Sequence, residues 1–193
     1  MAQPVPQAHG LRRLFQTVTE RSFLERLGWP DWAVMAYLSD LLTDCVHADH
    51  LYPTHGATGR RLVDLVEMLQ EADRRGGSES PERERDLQRQ IGDYTLLMTG
   101  LFPEGVRRLR TVLIVRADAL LDYVKVGKRA YRIVAERVQE SERDHAARRS
   151  AVQLFRRLSA EFELCVLGLG YVKEELAHLQ ASRDPRLRRL WSH

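Results

Sequence analysis

The most constraining feature of this sequence is a long apolar seam in its second half. Ten small or apolar residues follow one another at spacings of three or four, close to a heptad repeat. They are Val106, Leu109, Leu113, Ala117, Leu120, Val124, Gly127, Tyr131, Val134 and Val138. A seam of this length predicts one long helix whose apolar stripe packs against other helices.

A second long helix is predicted from about Ser150 to Gln180. Its stretch from Leu164 to Val172 is apolar on nearly every side, as in the most buried helix of a bundle. Shorter helices are predicted at about Leu11–Leu27, ending at Gly28, and at about Pro81–Thr99, ending at Gly100. Two more are predicted over about 30–50 and 60–74, and no apolar-polar alternation typical of a strand is present. We therefore expect an all-α fold: a single-domain helical bundle of about six helices with two long central helices.

The domain organisation predicted from composition is simple. Residues 1–10 hold two prolines and little apolar content, which indicates a flexible arm. The bundle spans 11–180, and a basic tail occupies 181–193. The longest apolar runs fall well short of the about 20 residues that cross a membrane, and the start has no signal-peptide pattern. With only two cysteines, Cys45 and Cys165, no disulfide framework is expected, so we expect a cytoplasmic protein.

The charge balance argues against nucleic acid as the partner. The net charge is +3, but only three of the 30 basic residues are lysine, and 27 acidic residues are interspersed with the arginines. Mixed signs are typical of a solvated surface with ion pairs. We expect no nucleic-acid binding.

One pattern suggests a metal site. Asp44 and His47, and again Glu175 and His178, have the carboxylate-x-x-His spacing that di-iron helical bundles use on two of their helices. If these pairs converged, they would hold two transition-metal ions. The competing interpretation is that all four residues lie on solvated helix flanks, since both pairs fall away from the centre of their apolar stripes. In that interpretation no cofactor is bound.

Three small features predict close helix packing. A glycine inside a helix costs about 1 kcal/mol relative to alanine, so Gly92 and Gly127 predict points where another helix approaches. Asp93, next to Gly92, is then expected to be a partly buried acid paired with an arginine. The apolar connector after Gly100 predicts that Phe102 is buried against neighbouring helix ends.

No nucleophile elbow, phosphate loop or other catalytic motif is present. The long seam and the apolar last helix present more apolar surface than one partner helix covers, and such an excess is usually buried in an oligomer or around a ligand. We therefore expect a non-catalytic interaction or adaptor protein that forms a homo-oligomer, most simply a homodimer. Another protein partner stays open. The alternatives are the di-iron-type enzyme and a bundle that binds a small ligand.

Overall fold

The structure is a computed structural model that describes residues 7–51, 81–104, 119–140 and 145–181. Within them, side chains are described for 10–46, 81–104, 123–140 and 145–180. Most of the predicted arm and tail, the predicted helix over 60–74 and the first part of the seam lie outside these ranges. The domain bounds of 11–180 therefore stay a prediction.

Six α-helices and no strand are found in the described ranges, which confirms the all-α helical bundle. The helices are α1 (Gln7–Arg21), α2 (Trp32–Leu51), α3 (Pro81–Gly100), α4 (Ala119–Glu140), α5 (His145–Ala160) and α6 (Phe162–Ala181). The chain forms two compact units, one of Met1–Tyr52 with Leu167–His193 and one of Pro53–Val166. None of the helices described is long and apolar enough for a membrane crossing.

The link between α1 and α2 shows how local chemistry sets the helix ends. A π-helical turn, Ser22–Arg26, extends α1, and the chain then reverses at Gly28, whose positive φ of 63° suits a residue without a side chain. The predicted stop at Gly28 is thus confirmed. The Asp31 carboxylate accepts a hydrogen bond from Val34 N–H at 3.2 Å and caps α2. Helix α2 therefore begins after Pro30 rather than at it.

The core of the first unit forms where α6 meets the end of α1. Gly168 lies so close to the buried Phe23 ring that a Cβ atom there would overlap it. At the surface, Arg21 pairs with Glu175 at 2.9 Å and Arg26 with Glu174 at 2.8 Å. The Arg26 guanidinium also lies 3.7 Å from the centroid of the Tyr171 ring, a cation–π contact.

The second unit is built on close packing of α3 against α4. A Cβ atom on Gly127 would lie 2.5 Å from Thr95 Oγ1 and would overlap the Phe162 ring. Thr95 and Thr99 are buried, and each hydroxyl donates to a backbone carbonyl of its own helix, so both buried hydroxyls have a hydrogen-bond partner at this contact. The prediction that Gly127 marks a close helix contact is confirmed.

One predicted helix boundary differs in detail. The long helix expected from about Ser150 is interrupted at Glu161, between α5 and α6. The backbone hydrogen bonds continue across this residue, from Glu161 N to Arg157 O and from Cys165 N to Glu161 O.

In the connector after α3, Leu101 is 9% exposed, whereas Phe102 is half-buried against the cluster of Ile91, Met98, Tyr123 and Ala130. The first connector residue folds back on the helix end, which leaves Phe102 at the edge of that cluster.

Candidate functional site

The residues of the predicted metal site are placed individually. Asp44 and His178 are exposed on α2 and α6. The Glu175 carboxylate accepts a hydrogen bond from Arg21 Nη1 at 2.9 Å, so it is held in an ion pair. The His47 side chain lies outside the described residues. Among the side chains that are described, no group of three or more His, Cys, Asp or Glu residues could hold a metal ion. The combination of Asp44, His47, Glu175 and His178 stays an untested hypothesis.

A polar cluster inside the second unit joins α3 to α4. The Tyr131 ring is fully buried, and its hydroxyl donates a 2.8 Å hydrogen bond to Asp93 Oδ1. The other oxygen of Asp93 lies 3.6 Å from Arg89 Nε, one turn back on α3. Asp93 has a side-chain exposure of 17%. The predicted partly buried acid paired with an arginine is therefore present.

Gly92 makes this cluster sterically feasible. The Tyr131 ring lies against the Gly92 backbone, and a Cβ atom built there would come within 2.7 Å of Tyr131 Cε1. On its other side the ring contacts Phe155 and Phe162, with centroids 5.9 Å and 6.1 Å away. Tyr131 is thus packed against residues of α3, α5 and α6 at once, and its hydroxyl is bonded to Asp93.

Next to this cluster, a cavity of about 320 Å³ opens between α3, α4 and α5. We call it the α3–α5 cavity. Its lining combines charged side chains with an apolar part, which we call the base. The charged residues are Arg85, Asp86, Arg89 and Arg148, and the base consists of Val134, Val138, Ala147, Ala151 and Phe155. Three arginines and one aspartate give the lining an excess of positive charge. The volume is at the lower end of the range of about 300–1,000 Å³ that small-molecule sites occupy.

Each arginine of the cavity is oriented by a neighbour. Arg85 donates to Asp86 Oδ1 at 2.9 Å, and Arg89 approaches Asp93 as described. Arg148 Nη2 lies 2.7 Å from His145 Nδ1. Because a guanidinium can only donate, His145 Nδ1 is the acceptor in this contact. Each of the three arginines therefore has a short-range partner on its own helix.

The first unit carries a different kind of feature, an apolar helix surface. Trp32 is 60% exposed at the start of α2, and Ala33 and Ala36 are exposed beside it. Tyr37, half-buried, continues the same stripe. We call these four residues the α2 outer face. Leu167 on α6, 45% exposed, is the other large apolar residue exposed among the described side chains.

Sequence reasoning singled out the Gly92–Asp93 element but missed the α3–α5 cavity. Its residues come from three helices, and each pair looks ordinary alone. The available signal was a set of i, i+4 repeats: Arg85 with Arg89, Val134 with Val138, and Ala147 with Ala151.

No family model, no curated protein and no solved structure matches this chain.

Proposed function

We propose that the protein is a non-catalytic helical interaction protein that associates with a second copy of itself through the α2 outer face. The observation that carries the proposal is Trp32, which is 60% exposed at the start of an apolar helix. Tryptophan is strongly enriched among the residues that dominate binding energy at protein interfaces. An exposed indole flanked by Ala33 and Ala36 has no role in the core of its own unit.

The chemistry of the face favours a second copy as the partner. In a two-fold symmetric dimer the same patch meets itself, so a charged patch would face its own charge. The α2 outer face carries no charge. At its edge, Asp40 pairs with Arg12 of α1 at 2.8 Å, and both side chains are about half-exposed or more, at 49% and 62%. Across a two-fold axis, Arg12 of one copy and Asp40 of the other would attract each other.

The face is one helix wide, so we expect a dimer that dissociates at micromolar concentration rather than an obligate one. Sedimentation-velocity ultracentrifugation of the full chain from 1 to about 100 μM tests this directly. Trp32→Glu replaces the largest apolar side chain of the face with a charge and should abolish the dimer. Trp32→Phe keeps an apolar ring and should retain it.

A matched control is Gln153→Glu, which adds the same charge at an exposed position of α5, outside the α2 outer face. This variant should dimerise as the unmodified chain does. A monomer at every concentration for the unmodified chain contradicts the proposal. So does a Trp32→Glu variant that dimerises as strongly as Gln153→Glu.

A cytoplasmic location is part of the same proposal. Cys45 and Cys165 do not form a disulfide with each other, and Cys165 is buried in the apolar core. Disulfides are rare in cytoplasmic proteins, because that compartment is reducing. Fractionation of cells that express the full chain with a small epitope tag should recover it in the cytoplasmic fraction, and recovery outside that fraction would contradict this part.

A further inference from the structure

We propose that the α3–α5 cavity binds a small organic carboxylate that carries an apolar body. The inference is independent of self-association, because all the residues that line this cavity belong to the second unit, whereas the α2 outer face belongs to the first. It rests on three properties of the cavity: the sign of its charge, the apolar character of its base, and the packing that holds Phe155 of the base and Arg89 in place.

The charge selects an anion. Arg85 and Arg89 line the cavity from α3, and Arg148 lines it from α5. Asp86 is the one acid in the lining, and it contacts Arg85. A guanidinium presents paired N–H donors that match the two oxygens of a carboxylate. A carboxylate between the two helices would therefore meet donors on both sides of the cavity.

The base selects an apolar body behind that anion. Val134, Val138, Ala147, Ala151 and Phe155 provide only hydrocarbon surface. Filling this base with methylene groups gains about 0.8 kcal/mol for each one removed from water. Inorganic phosphate or acetate would satisfy the arginines but would leave the base uncovered. A cavity of about 320 Å³ suits one small molecule rather than a long lipid chain.

Two residues of the lining, Phe155 and Arg89, are held in place by contacts within the protein. Phe155 packs on Tyr131 with ring centroids 5.9 Å apart, and the Tyr131 hydroxyl is bonded to Asp93. Asp93 in turn lies 3.6 Å from Arg89, which lines the cavity. The buried pair of Tyr131 and Asp93 thus contacts both Phe155 of the base and Arg89 of the lining. A preorganised site of this kind loses little entropy on binding.

Isothermal titration calorimetry of the full chain tests the proposal with three probes: octanoate, octan-1-ol and acetate. Octanoate has both the carboxylate and the apolar body and should bind at one site per chain. Octan-1-ol lacks the charge and should bind at least tenfold more weakly. Acetate lacks the apolar body and should give no signal at the same concentrations. Absence of octanoate binding at millimolar concentration, or equal affinities for octanoate and octan-1-ol, would overturn the proposal.

Substitutions then locate the site. Arg85→Gln and Arg148→Gln should each weaken octanoate binding about tenfold or more. The matched control is Arg149→Gln, which removes the same charge from the neighbouring exposed position of α5, outside the lining, and should change the affinity less than twofold. If Arg149→Gln and Arg148→Gln weaken binding equally, general charge and not this cavity is responsible, and the proposal is wrong.

Two further variants separate the site from a mere loss of folding. Asp86→Asn removes the acid that competes for Arg85 and should strengthen octanoate binding, whereas a damaged fold would weaken it. Ala151→Leu keeps every charge but fills the base and should block octanoate. Circular dichroism and a melting curve accompany each variant. Unchanged octanoate binding in a folded Ala151→Leu variant would exclude this cavity as the site.

Discussion

Gly92 of α3 and Tyr131 of α4 are packed so closely that a Cβ atom on Gly92 would lie 2.7 Å from Tyr131 Cε1. Two ring atoms lie nearer than 3.0 Å to that position, closer than real Cβ contacts, and a third lies at 3.0 Å. The ring is fully buried and its hydroxyl is bonded to Asp93, so it has no room to turn aside. This contact sets how near α3 and α4 approach beside the α3–α5 cavity.

Gly92→Ala should therefore lower the free energy of unfolding. Overpacking in a core costs about 1–3 kcal/mol, and alanine returns up to about 1 kcal/mol through its better helix propensity. Because the clash is with an anchored ring, we expect a net loss of about 1–2 kcal/mol. Urea denaturation followed by circular dichroism measures it.

The control is the same substitution at Gly170, in the middle of α6. No atom lies within 4 Å of a Cβ built there, and the backbone is helical. Gly170→Ala should raise the free energy of unfolding by up to about 1 kcal/mol. If the two variants change stability in the same direction and by the same amount, the Gly92–Tyr131 contact does not constrain the fold.

A second prediction concerns the Tyr131 hydroxyl. Tyr131→Phe keeps the ring but leaves Asp93 without its 2.8 Å hydrogen bond. Hydrogen bonds to charged groups contribute about 1.5–3 kcal/mol. Asp93 retains some solvent contact and the nearby Arg89, so we expect a loss of about 1–2 kcal/mol in the free energy of unfolding. A double-mutant cycle with Asp93→Asn isolates the pair, and a coupling energy near zero would contradict the assignment.

The sequence was informative where local geometry decides the outcome. Gly28, Gly92 and Gly127 predicted a helix stop and two close contacts because each needs a residue without a side chain. Asp93, beside Gly92, was likewise predicted to pair with an arginine, and in the structure that arginine is Arg89, one turn back on the same helix. The π-helical turn at Ser22–Arg26 was not predicted, because no composition signal distinguishes it from an ordinary last turn.

Contacts between residues far apart in the sequence could not be predicted from helical patterns. Glu175 has metal-ligand spacing with His178, yet its contact in the structure is with Arg21, far along the chain. Nothing in a helical pattern states which helix will lie opposite. The α3–α5 cavity depends on three such pairings at once, since its walls and base come from α3, α4 and α5.

A third prediction follows from the connector after α3. The sequence predicts that Phe102 is buried against neighbouring helix ends, and truncating a buried Phe102 would cost about 3–5 kcal/mol. Because the side chain is half-buried, we expect Phe102→Ala to cost about 2 kcal/mol. Leu101→Ala, at the more buried neighbour, should cost at least as much despite the smaller side chain. Urea denaturation of both variants checks the order, and a loss for Phe102→Ala well above that for Leu101→Ala would contradict it.

The last prediction uses a second buried tyrosine of α4. Tyr123 belongs to the Ile91 and Met98 cluster, and within the described residues its hydroxyl makes no hydrogen bond. Burial raises the pKa of Tyr123 to about 12, from an ordinary value of 10.0. Below pH 10 both the folded and the unfolded chain keep this proton, so the free energy of unfolding is at its full value with respect to Tyr123. Above pH 10 the unfolded chain loses the proton first, and stability falls until the pH passes the folded-state pKa.

Between pH 9 and pH 11 this effect should lower the free energy of unfolding by about 1 kcal/mol. Tyr123→Phe removes the titrating group, so the fall in stability of this variant over the same interval should be smaller by that amount. At pH 7 the variant should be as stable as the unmodified chain or slightly more so, because no hydrogen bond is lost and a buried hydroxyl is removed. It is thus the matched counterpart of Tyr131→Phe: the same atom is deleted from the same helix, with opposite consequences. A marked loss of stability at pH 7 would show that the Tyr123 hydroxyl has a partner after all, and an unchanged alkaline slope would show that burial does not raise its pKa.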